Sequence, residues 1–158
     1  MGVHYRGTDT AMHWPYTKIP YETFFAETDK AIEARLKEKG KQRQGAQIKI
    51  FVATDEQEFL EAMRKRYGRQ VIVSYDGSPR LTPDQYEAAT EGLTNSPDVH
   101  VTNYQKGESA VVDAICMALG EHLIKGRSNV SEFSYAYHVQ MAVTMIFTDI
   151  TYIPKGQY

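Results

Sequence analysis

The chain contains 158 residues, a length typical of one domain. Its 18 Lys and Arg residues and 20 Asp and Glu residues give a formal net charge of −2, whereas a protein that binds nucleic acid usually has a basic excess. Cys116 is the only cysteine, which excludes an internal disulfide and a cysteine-rich zinc site. No apolar run approaches the roughly 18 residues that a membrane-spanning helix requires, so we expect neither a nucleic-acid partner nor a membrane segment.

The first predicted elements are a strand and a helix separated by a loop. Gly2–Tyr5 is a short apolar run that predicts a strand, and the loop at 6–20 is rich in Thr, His, Trp and Pro. A 3.6-residue periodicity over 21–39 predicts a helix with one buried side. The residues that we expect on this side are Phe24, Phe25, Ala31, Ile32 and Leu36.

The next elements continue this alternation. Residues 48–53, Ile-Lys-Ile-Phe-Val-Ala, predict a second strand. We expect Thr54 or Asp55 to cap a helix that ends near Tyr67. A third strand is predicted at 71–74.

The second half of the chain begins with a long polar stretch, 75–106, that is interrupted by Pro and Gly. It is predicted to contain a short helix at 83–91 and a short strand at 99–102. A helix, a strand, a second helix and a last strand are predicted at 108–119, 122–125, 131–141 and 143–147. Alternating strands and helices predict one α/β domain with a parallel sheet and right-handed crossovers, in a strand order that the sequence leaves open.

A Thr-Asp pair follows three of the apolar runs, at Thr8-Asp9, Thr54-Asp55 and Thr148-Asp149. In open α/β sheets, ligands bind beyond the carboxyl ends of the strands, so these pairs are candidate site residues. Helix capping is the alternative, because Thr and Asp are both favoured N-cap residues. We favour capping for Asp55 taken alone and a structural role for Asp149.

His4 and Arg6 lie at the end of the first predicted strand, on the same side of it, because strand side chains alternate with a period of two. The planar guanidinium of an arginine can donate two parallel hydrogen bonds to a phosphate. A histidine beside it can bond a base or a hydroxyl. The alternative is a salt bridge from Arg6 to Asp9 and a hydrogen-bonded histidine in the core.

Asp113 interrupts the apolar run Ala-Val-Val-Asp-Ala-Ile at 110–115. A buried carboxylate is costly unless it is paired or hydrogen bonded. Asp113 therefore lies either on a narrow exposed face of its helix or in a ligand pocket, where it accepts hydrogen bonds from a base or a sugar.

The turn at 126–131 reads Gly-Arg-Ser-Asn-Val-Ser and precedes a predicted helix. Backbone amides and hydroxyl groups at the start of a helix form a ready anion site. Simple capping by Ser128 or Asn129 is the alternative.

The motifs of several common enzyme classes are absent from the sequence. It contains no Walker phosphate-binding loop, no Gly-x-Gly-x-x-Gly after a strand and no Gly-x-Ser-x-Gly elbow. The five His residues show no metal-ligand spacing such as His-Glu-x-x-His. We therefore expect neither a metal nor a resident cofactor; the alternative that stays open is a metal held by His4 and His13.

Together, these segments resemble a family of glycosyltransferases. Residues 2–9, Gly-Val-His-Tyr-Arg-Gly-Thr-Asp, are similar to the His-x-Arg-x-Thr-Asp segment of the α1,6-fucosyltransferase and nodulation protein Z group, which is related to the protein O-fucosyltransferases. Residues 51–56 are similar to the strand of that family that ends in Ala-Thr-Asp-Asp. The Asp113 helix and the turn at 128–131 match its next two segments in order and rough spacing, so the resemblance covers nearly the whole chain. One difference is Gly7, where the α1,6 enzymes carry a second arginine.

The resemblance implies a particular fold and activity. The chain would be the C-terminal, Rossmann-like donor domain of a GT-B glycosyltransferase, which transfers fucose from GDP-fucose to a glycan acceptor with inversion and needs no metal. A GT-B site forms between two domains, and no acceptor domain precedes Met1. The resemblance therefore also implies a partner chain or a missing N-terminal domain.

The resemblance also implies a role for each candidate residue. His4 and Asp113 would contact the guanine, and Arg6 would bind the diphosphate and stabilise the leaving group as the catalytic residue. The residues implied at the phosphates are Ser128 and Asn129, and those implied in the donor pocket are Asp9, Asp55 and Glu56.

Two other interpretations agree with the same residues. The chain is then either a non-catalytic module that binds a GDP-sugar or another nucleotide, or an unrelated α/β domain whose polar strand ends are only caps. Binding of GDP separates the unrelated domain from the other two, and transfer to an acceptor separates an enzyme from a binding module.

The sequence favours a cytoplasmic protein over one in the Golgi lumen. Asn129-Val130-Ser131 is an N-glycosylation sequon, and it lies at the helix start assigned to the diphosphate, where a glycan would block the site. The single cysteine gives no sign of an oxidising compartment. The animal α1,6 enzymes, by contrast, are lumenal.

Overall fold

The computed structural model of the protein describes residues 1–7, 19–39, 48–82, 85 and 102–146. The strands within these residues are β1 (Gly2–Tyr5), β2 (Ile50–Thr54), β3 (Ile72–Val73), β4 (His122–Lys125) and β5 (Ala142–Met145). The helices are α1 (Tyr21–Lys39), α2 (Gln57–Tyr67), α3 (Asn103–Ala118) and α4 (Asn129–Tyr137).

The five strands form one open sheet in the order β3-β2-β1-β4-β5. All neighbouring strands are parallel, and the register places His4 opposite Ala53 of β2 and Lys125 of β4. The chain proceeds from β1 to one edge of the sheet and then returns to β4 on the other side of β1, so the strand order reverses between β1 and β4. The predicted α/β fold with a parallel, Rossmann-like sheet is confirmed.

An aromatic cluster fills one face of the sheet, under α1 and α2. The ring of Tyr5 stacks on Phe59 of α2 with centroids 4.2 Å apart. The edges of Tyr21 and Phe24 of α1 approach the same tyrosine ring, at 5.2 and 5.1 Å. Edge-to-face and offset stacked pairs are the favoured aromatic geometries, so this cluster fixes β1 against both helices.

The opposite face of the sheet packs against α3 and α4. A second core cluster there contains Ala53 of β2, Met117 of α3 and Leu123 of β4. Gly2 lets the helix approach closely, because a Cβ at this position would lie 3.3 Å from the Met117 side chain. Strand side chains alternate between faces, so His4 is directed away from the aromatic cluster and toward α3.

Several predicted boundaries agree with the structure and others are wrong. The bounds of β1, α1 and β4 are those expected from the sequence. Helix α3 begins at Asn103 and not at 108, because Thr102 and Gln105 form a capping box in which each side chain bonds the other residue's backbone. Helix α4 begins two residues before, and ends four residues before, the predicted range of 131–141.

One residue of the predicted core lies at the surface. Leu36 of α1 is 55% exposed, although its spacing from Ile32 places it near the buried stripe. It lies in the last turn of α1, where the apolar periodicity continues although the side chain is not packed in the core.

Parts of the sequence-based prediction lie outside the described residues. Of the predicted helix at 83–91 only residue 85 is described, and of the predicted strand at 99–102 only Thr102 is described, as the N-cap of α3. None of the helices described here is long and apolar enough to cross a membrane.

Truncation of the aromatic cluster should destabilise the fold. Phe59 is completely buried, and Phe59→Ala removes its contacts and leaves a cavity, so we expect the free energy of unfolding to fall by about 3–5 kcal/mol. Leu36→Ala is the matched control and should change it by less than about 0.5 kcal/mol. Urea unfolding followed by circular dichroism measures both values, and similar losses for the two variants would contradict this packing.

Candidate functional site

A polar cleft of about 150 Å³ opens at the carboxyl edge of the sheet. The ends of β1 and β2, the segment after β3, the first two-thirds of α3 and the start of α4 surround it. The lining includes His4, Arg6, Thr54, Asp55, Ser78, Lys106, Ser109, Asp113 and Ser128. The cleft lies at the carboxyl ends of the strands, where the strand order reverses. Ligands of open α/β sheets bind at this place.

A larger cavity of about 430 Å³ lies at the amino edge of the sheet. Arg35 pairs there with Glu38 at 3.2 Å and with Glu121, and none of the buried polar side-chain atoms that lack a hydrogen-bond partner among the described residues belongs to its lining. The carboxyl-edge cleft differs in this respect. It contains buried polar atoms of His4 and Asp113 that have no hydrogen-bond partner among the described residues, so it is the candidate site.

His4 is buried in the cleft as a neutral imidazole. Burial lowers its pKa to about 3, and the positive charges of Arg6 and Lys125 add to the shift. Its Nδ1 atom is buried without a hydrogen-bond partner within the described part of the chain. His4 is therefore buried in the core, as the alternative to a ligand-binding role expected. Unlike the histidine of that alternative, its Nδ1 atom has no hydrogen-bond partner among the described residues.

A buried lysine, paired with a half-exposed glutamate, lies directly beside His4. Lys125 is 1% exposed, is the register neighbour of His4 on β4, and forms a salt bridge with Glu132 in the first turn of α4. A buried lysine without a partner would be strongly destabilising. The pair thus joins β4 to α4, and the positive charge of Lys125 acts on His4, which sequence patterns did not indicate.

Asp113 is buried rather than on an exposed face of α3. Ser78 Oγ donates a hydrogen bond of 2.9 Å to Asp113 Oδ2, and the buried Oδ1 has no partner among the residues described. Burial raises the pKa of Asp113 to about 6, although the Ser78 hydrogen bond and the positive charge of Arg80 oppose the shift. The carboxyl group therefore changes its charge close to neutral pH.

Asp55 does not cap α2, contrary to the prediction. The N-cap residue of this helix is Glu56, which makes no side-chain capping bond. The Asp55 carboxylate instead accepts a hydrogen bond of 3.0 Å from the backbone N–H of Gly7. Thr54 is not the cap either, because its hydroxyl accepts from the Glu56 N–H at 3.1 Å. Both side chains therefore organise the strand ends at the cleft.

Glu56 is buried against Gly7, outside the cleft lining. Tyr21 donates a hydrogen bond of 2.6 Å to Glu56 Oε2, and burial is the main cause that raises the pKa of Tyr21. A Cβ at Gly7 would collide with the Glu56 carboxylate and lie 2.7 Å from Cε1 of Tyr5. This packing leaves no room for a side chain at position 7.

Ser128 is the N-cap of α4 by backbone position only. Its side chain makes no capping bond, and its buried Oγ has no partner in the described ranges. Asn129 is the exposed first residue of the helix and does not line the cleft. Simple capping by the Ser128 side chain is thus wrong, and the hydroxyl lies at the cleft with the helix start.

The structure brings five of the eight predicted site residues into one cleft. These are His4, Arg6, Asp55, Asp113 and Ser128. Glu56 and Asn129 lie outside the lining, and Asp9 lies outside the described residues, so its predicted ion pair with Arg6 does too. Sequence reasoning missed the lining residues Ser78, Lys106 and Ser109, which belong to a long polar stretch without periodicity and to the early turns of α3.

The described residues contain no group of three or more His, Cys, Asp or Glu side chains that could hold a metal ion. No protein-family model matches the chain, and no curated protein matches it in sequence. The structure thus defines an open parallel α/β protein with a polar cleft at the reversal of its strand order. A relationship to fucosyltransferases remains a prediction from the residues.

Neutralising Asp113 should stabilise the folded protein above pH 6. Because its pKa is raised to about 6 in the fold, the folded state binds this proton more tightly than the unfolded state, and stability falls as pH rises from about 4 to 6. Asp113→Asn removes that loss, so we expect a gain of about 2 kcal/mol at pH 8 and almost none at pH 4.

Glu108→Gln is the control for this prediction, because Glu108 is an exposed carboxylate on the same helix. Its unfolding free energy should differ from that of the wild type by less than about 0.5 kcal/mol at both pH values. Thermal unfolding across the pH range makes the comparison. A destabilised Asp113→Asn protein at pH 8 would show that the carboxylate is well stabilised in the fold.

Proposed function

We propose that this cleft binds the GDP portion of a nucleotide sugar, with GDP-fucose as the donor. The chain would serve as the donor domain of a GT-B glycosyltransferase that transfers fucose with inversion once an acceptor domain is present. The observation that carries the proposal is the convergence of Arg6, Asp113, His4 and Ser128 at one cleft. An arginine and a helix start suit a diphosphate, and a buried carboxylate and a neutral imidazole can hydrogen bond a base.

The buried carboxylate favours guanine over the other bases. The Watson–Crick edge of guanine presents two neighbouring N–H donors, which one carboxylate can accept together. Asp113 has one oxygen bonded to Ser78 and a second, buried oxygen without a partner among the described residues. His4 lines the same cleft as Asp113, and its imidazole is held neutral. The imidazole can therefore exchange a hydrogen bond with the base without adding charge.

The diphosphate would lie between Arg6 and the start of α4. Cleavage of a sugar–phosphate bond places negative charge on the departing diphosphate, and preorganised donors stabilise that charge. Arg6 lines the cleft from the end of β1, and the Ser128 hydroxyl lies there with the first amides of α4. Arg6 is therefore our candidate for the catalytic residue, and Asn129 contributes through its backbone position.

The size of the cleft supports a partner domain. Sites that enclose a small molecule usually measure roughly 300–1,000 Å³, whereas this cleft measures about 150 Å³. It would hold part of a nucleotide sugar and leave the sugar to a second domain or chain, which would also bring the glycan acceptor. Without that partner, the chain would act as a GDP-sugar binding module.

We also propose a cytoplasmic location for the protein. Asn129 is exposed at the start of α4, next to the hydroxyl that we assign to the phosphates. A glycan on this asparagine would occupy the approach to the site. The proposal fails if the native protein carries a glycan on Asn129 and still binds GDP.

Removal of the Arg6 guanidinium should weaken GDP binding selectively. A hydrogen bond to a charged group contributes about 1.5–3 kcal/mol, so Arg6→Ala should raise the Kd for GDP by about 10–100-fold and change that for guanosine by less than about threefold. Calorimetry in EDTA and again with Mg²⁺ measures both ligands and should give the same result. Arg69→Ala removes an exposed arginine outside the cleft as the control, and equal losses for GDP and guanosine would exclude the phosphate role.

Asp113 should determine the base preference and its pH dependence. Asp113→Asn presents one acceptor instead of two, so the affinity ratio of GDP to ADP should fall about tenfold. In the wild type, the ionised carboxylate is the binding form, and its pKa of about 6 predicts a loss of GDP affinity of about tenfold from pH 7 to pH 5. The variant should lack this pH dependence. An unchanged GDP preference in a correctly folded variant would refute the assignment.

A further inference from the structure

The segment at 74–81 runs from the end of β3 to the edge of the cleft. Its far end is fixed, because the Leu81 N–H donates a hydrogen bond of 2.9 Å to the Asp55 carbonyl and Leu81 forms a parallel bridge with Glu56. Leu81 is also buried. The segment is thus anchored to β3 at one end and to the junction of β2 and α2 at the other.

Arg80 holds the middle of this segment in one conformation. Its Nη1 donates to the Ser78 carbonyl at 3.1 Å, and its Nη2 donates to the Tyr75 carbonyl at 2.9 Å. The backbone N–H of Ser78 also donates to the Tyr75 carbonyl at 3.2 Å. Because a guanidinium is a rigid fork, these bonds fix the turn from Tyr75 to Ser78.

The turn delivers one hydroxyl group to the buried carboxylate. Ser78 is itself buried, and its Oγ donates its only proton to Asp113 Oδ2 at 2.9 Å. A bond to one carboxylate oxygen restricts the rotation of the group, and it stabilises the ionised form. The positive charge of Arg80 acts in the same direction.

We propose that Ser78 and Arg80 are positioning residues for base recognition, because together they hold the Asp113 carboxylate in one orientation and in its ionised form. The inference rests on the proposed nucleotide site. Neither residue is proposed to touch the base. They act as the supporting shell that a recognition group needs in order to keep its geometry.

The other groups around Asp113 do not replace this support. Cys116 lies on the same helix, and its own pKa is raised by burial and by the charge of Asp113. The charged lining residues Arg6, Asp55 and Lys106 come from the ends of β1 and β2 and from the first turn of α3, and His4 is neutral. Among the described residues, the recorded hydrogen bond to the carboxylate comes from Ser78.

The experiment compares Ser78→Ala and Arg80→Lys with the wild type. The pKa of Asp113 is measured by carbon-13 NMR without ligand, and the affinities for GDP and ADP are measured by calorimetry at pH 7. Ser78→Ala should raise the pKa of Asp113 further and lower the GDP-to-ADP affinity ratio about three- to tenfold. Arg80→Lys keeps the charge but cannot bridge the two carbonyls, so it should lower the ratio with little change in the pKa.

Ser134→Ala is the matched control, because Ser134 is a buried serine whose Oγ donates within α4 to the Val130 carbonyl at 3.0 Å. It should leave both the pKa of Asp113 and the affinity ratio at wild-type values. A purely structural effect of losing a buried hydroxyl would lower stability in both serine variants without moving either readout.

The outcomes separate this inference from the proposed function. If the wild type binds GDP with a base preference and Ser78→Ala changes neither the Asp113 pKa nor that preference, the positioning role is wrong and the nucleotide site stands. If the wild type binds no GDP, the nucleotide site and the positioning role are both overturned. If Ser78→Ala fails to fold, Arg80→Lys decides, because an unchanged affinity ratio in that variant overturns the positioning role.

Discussion

A carboxylate buried in an apolar helix constrains the arrangement of the whole cleft. Asp113 lies on α3 next to Ala114, which packs in the core, and a charge in such a position is costly unless it is hydrogen bonded or paired. The segment after β3 lowers this cost through a hydrogen bond from the Ser78 hydroxyl and the positive charge of Arg80, although burial still raises the pKa of Asp113 to about 6. That segment is in turn anchored beside Asp55. One buried charge therefore couples α3 to the ends of two strands on the other side of the cleft.

The parallel sheet explains why the remaining polar groups meet that carboxylate. Every strand ends at the same edge, so the residues that follow β1, β2 and β4 converge in space although they are far apart in sequence. Arg6, Asp55 and Ser128 reach the cleft in this way. Gly7 adds a second constraint, since its missing side chain leaves room for the buried Glu56 carboxylate. The resulting cleft combines a buried carboxylate with an arginine and the start of a helix, and the proposed nucleotide site rests on this combination.

Local sequence patterns were sufficient to predict some helix and strand bounds, and insufficient for others. The bounds of β1, α1 and β4 followed from short apolar runs and from helical periodicity, because those patterns reflect burial on one or both sides. The early start of α3 was readable from the Thr102 and Gln105 capping box, a local signal that the apolar periodicity concealed. The exposure of Leu36 could not be predicted from the sequence, because periodicity does not show where the packing of a helix ends. The caps expected at Thr54 and Asp55 failed because their side chains bond the strand-end backbone instead.

By itself, the sequence determined the α/β class, the order of the elements and the presence of polar residues after the strands, since each of these depends on local pattern. His4, Arg6 and Asp113 could be named as candidates for the same reason. Only the tertiary structure decided that the strand order reverses beside β1, that Asp113 is buried and that Ser78 reaches it. These features depend on contacts between distant segments, in which a polar group finds its partner only after the sheet has formed. Local periodicity carries no information about such contacts.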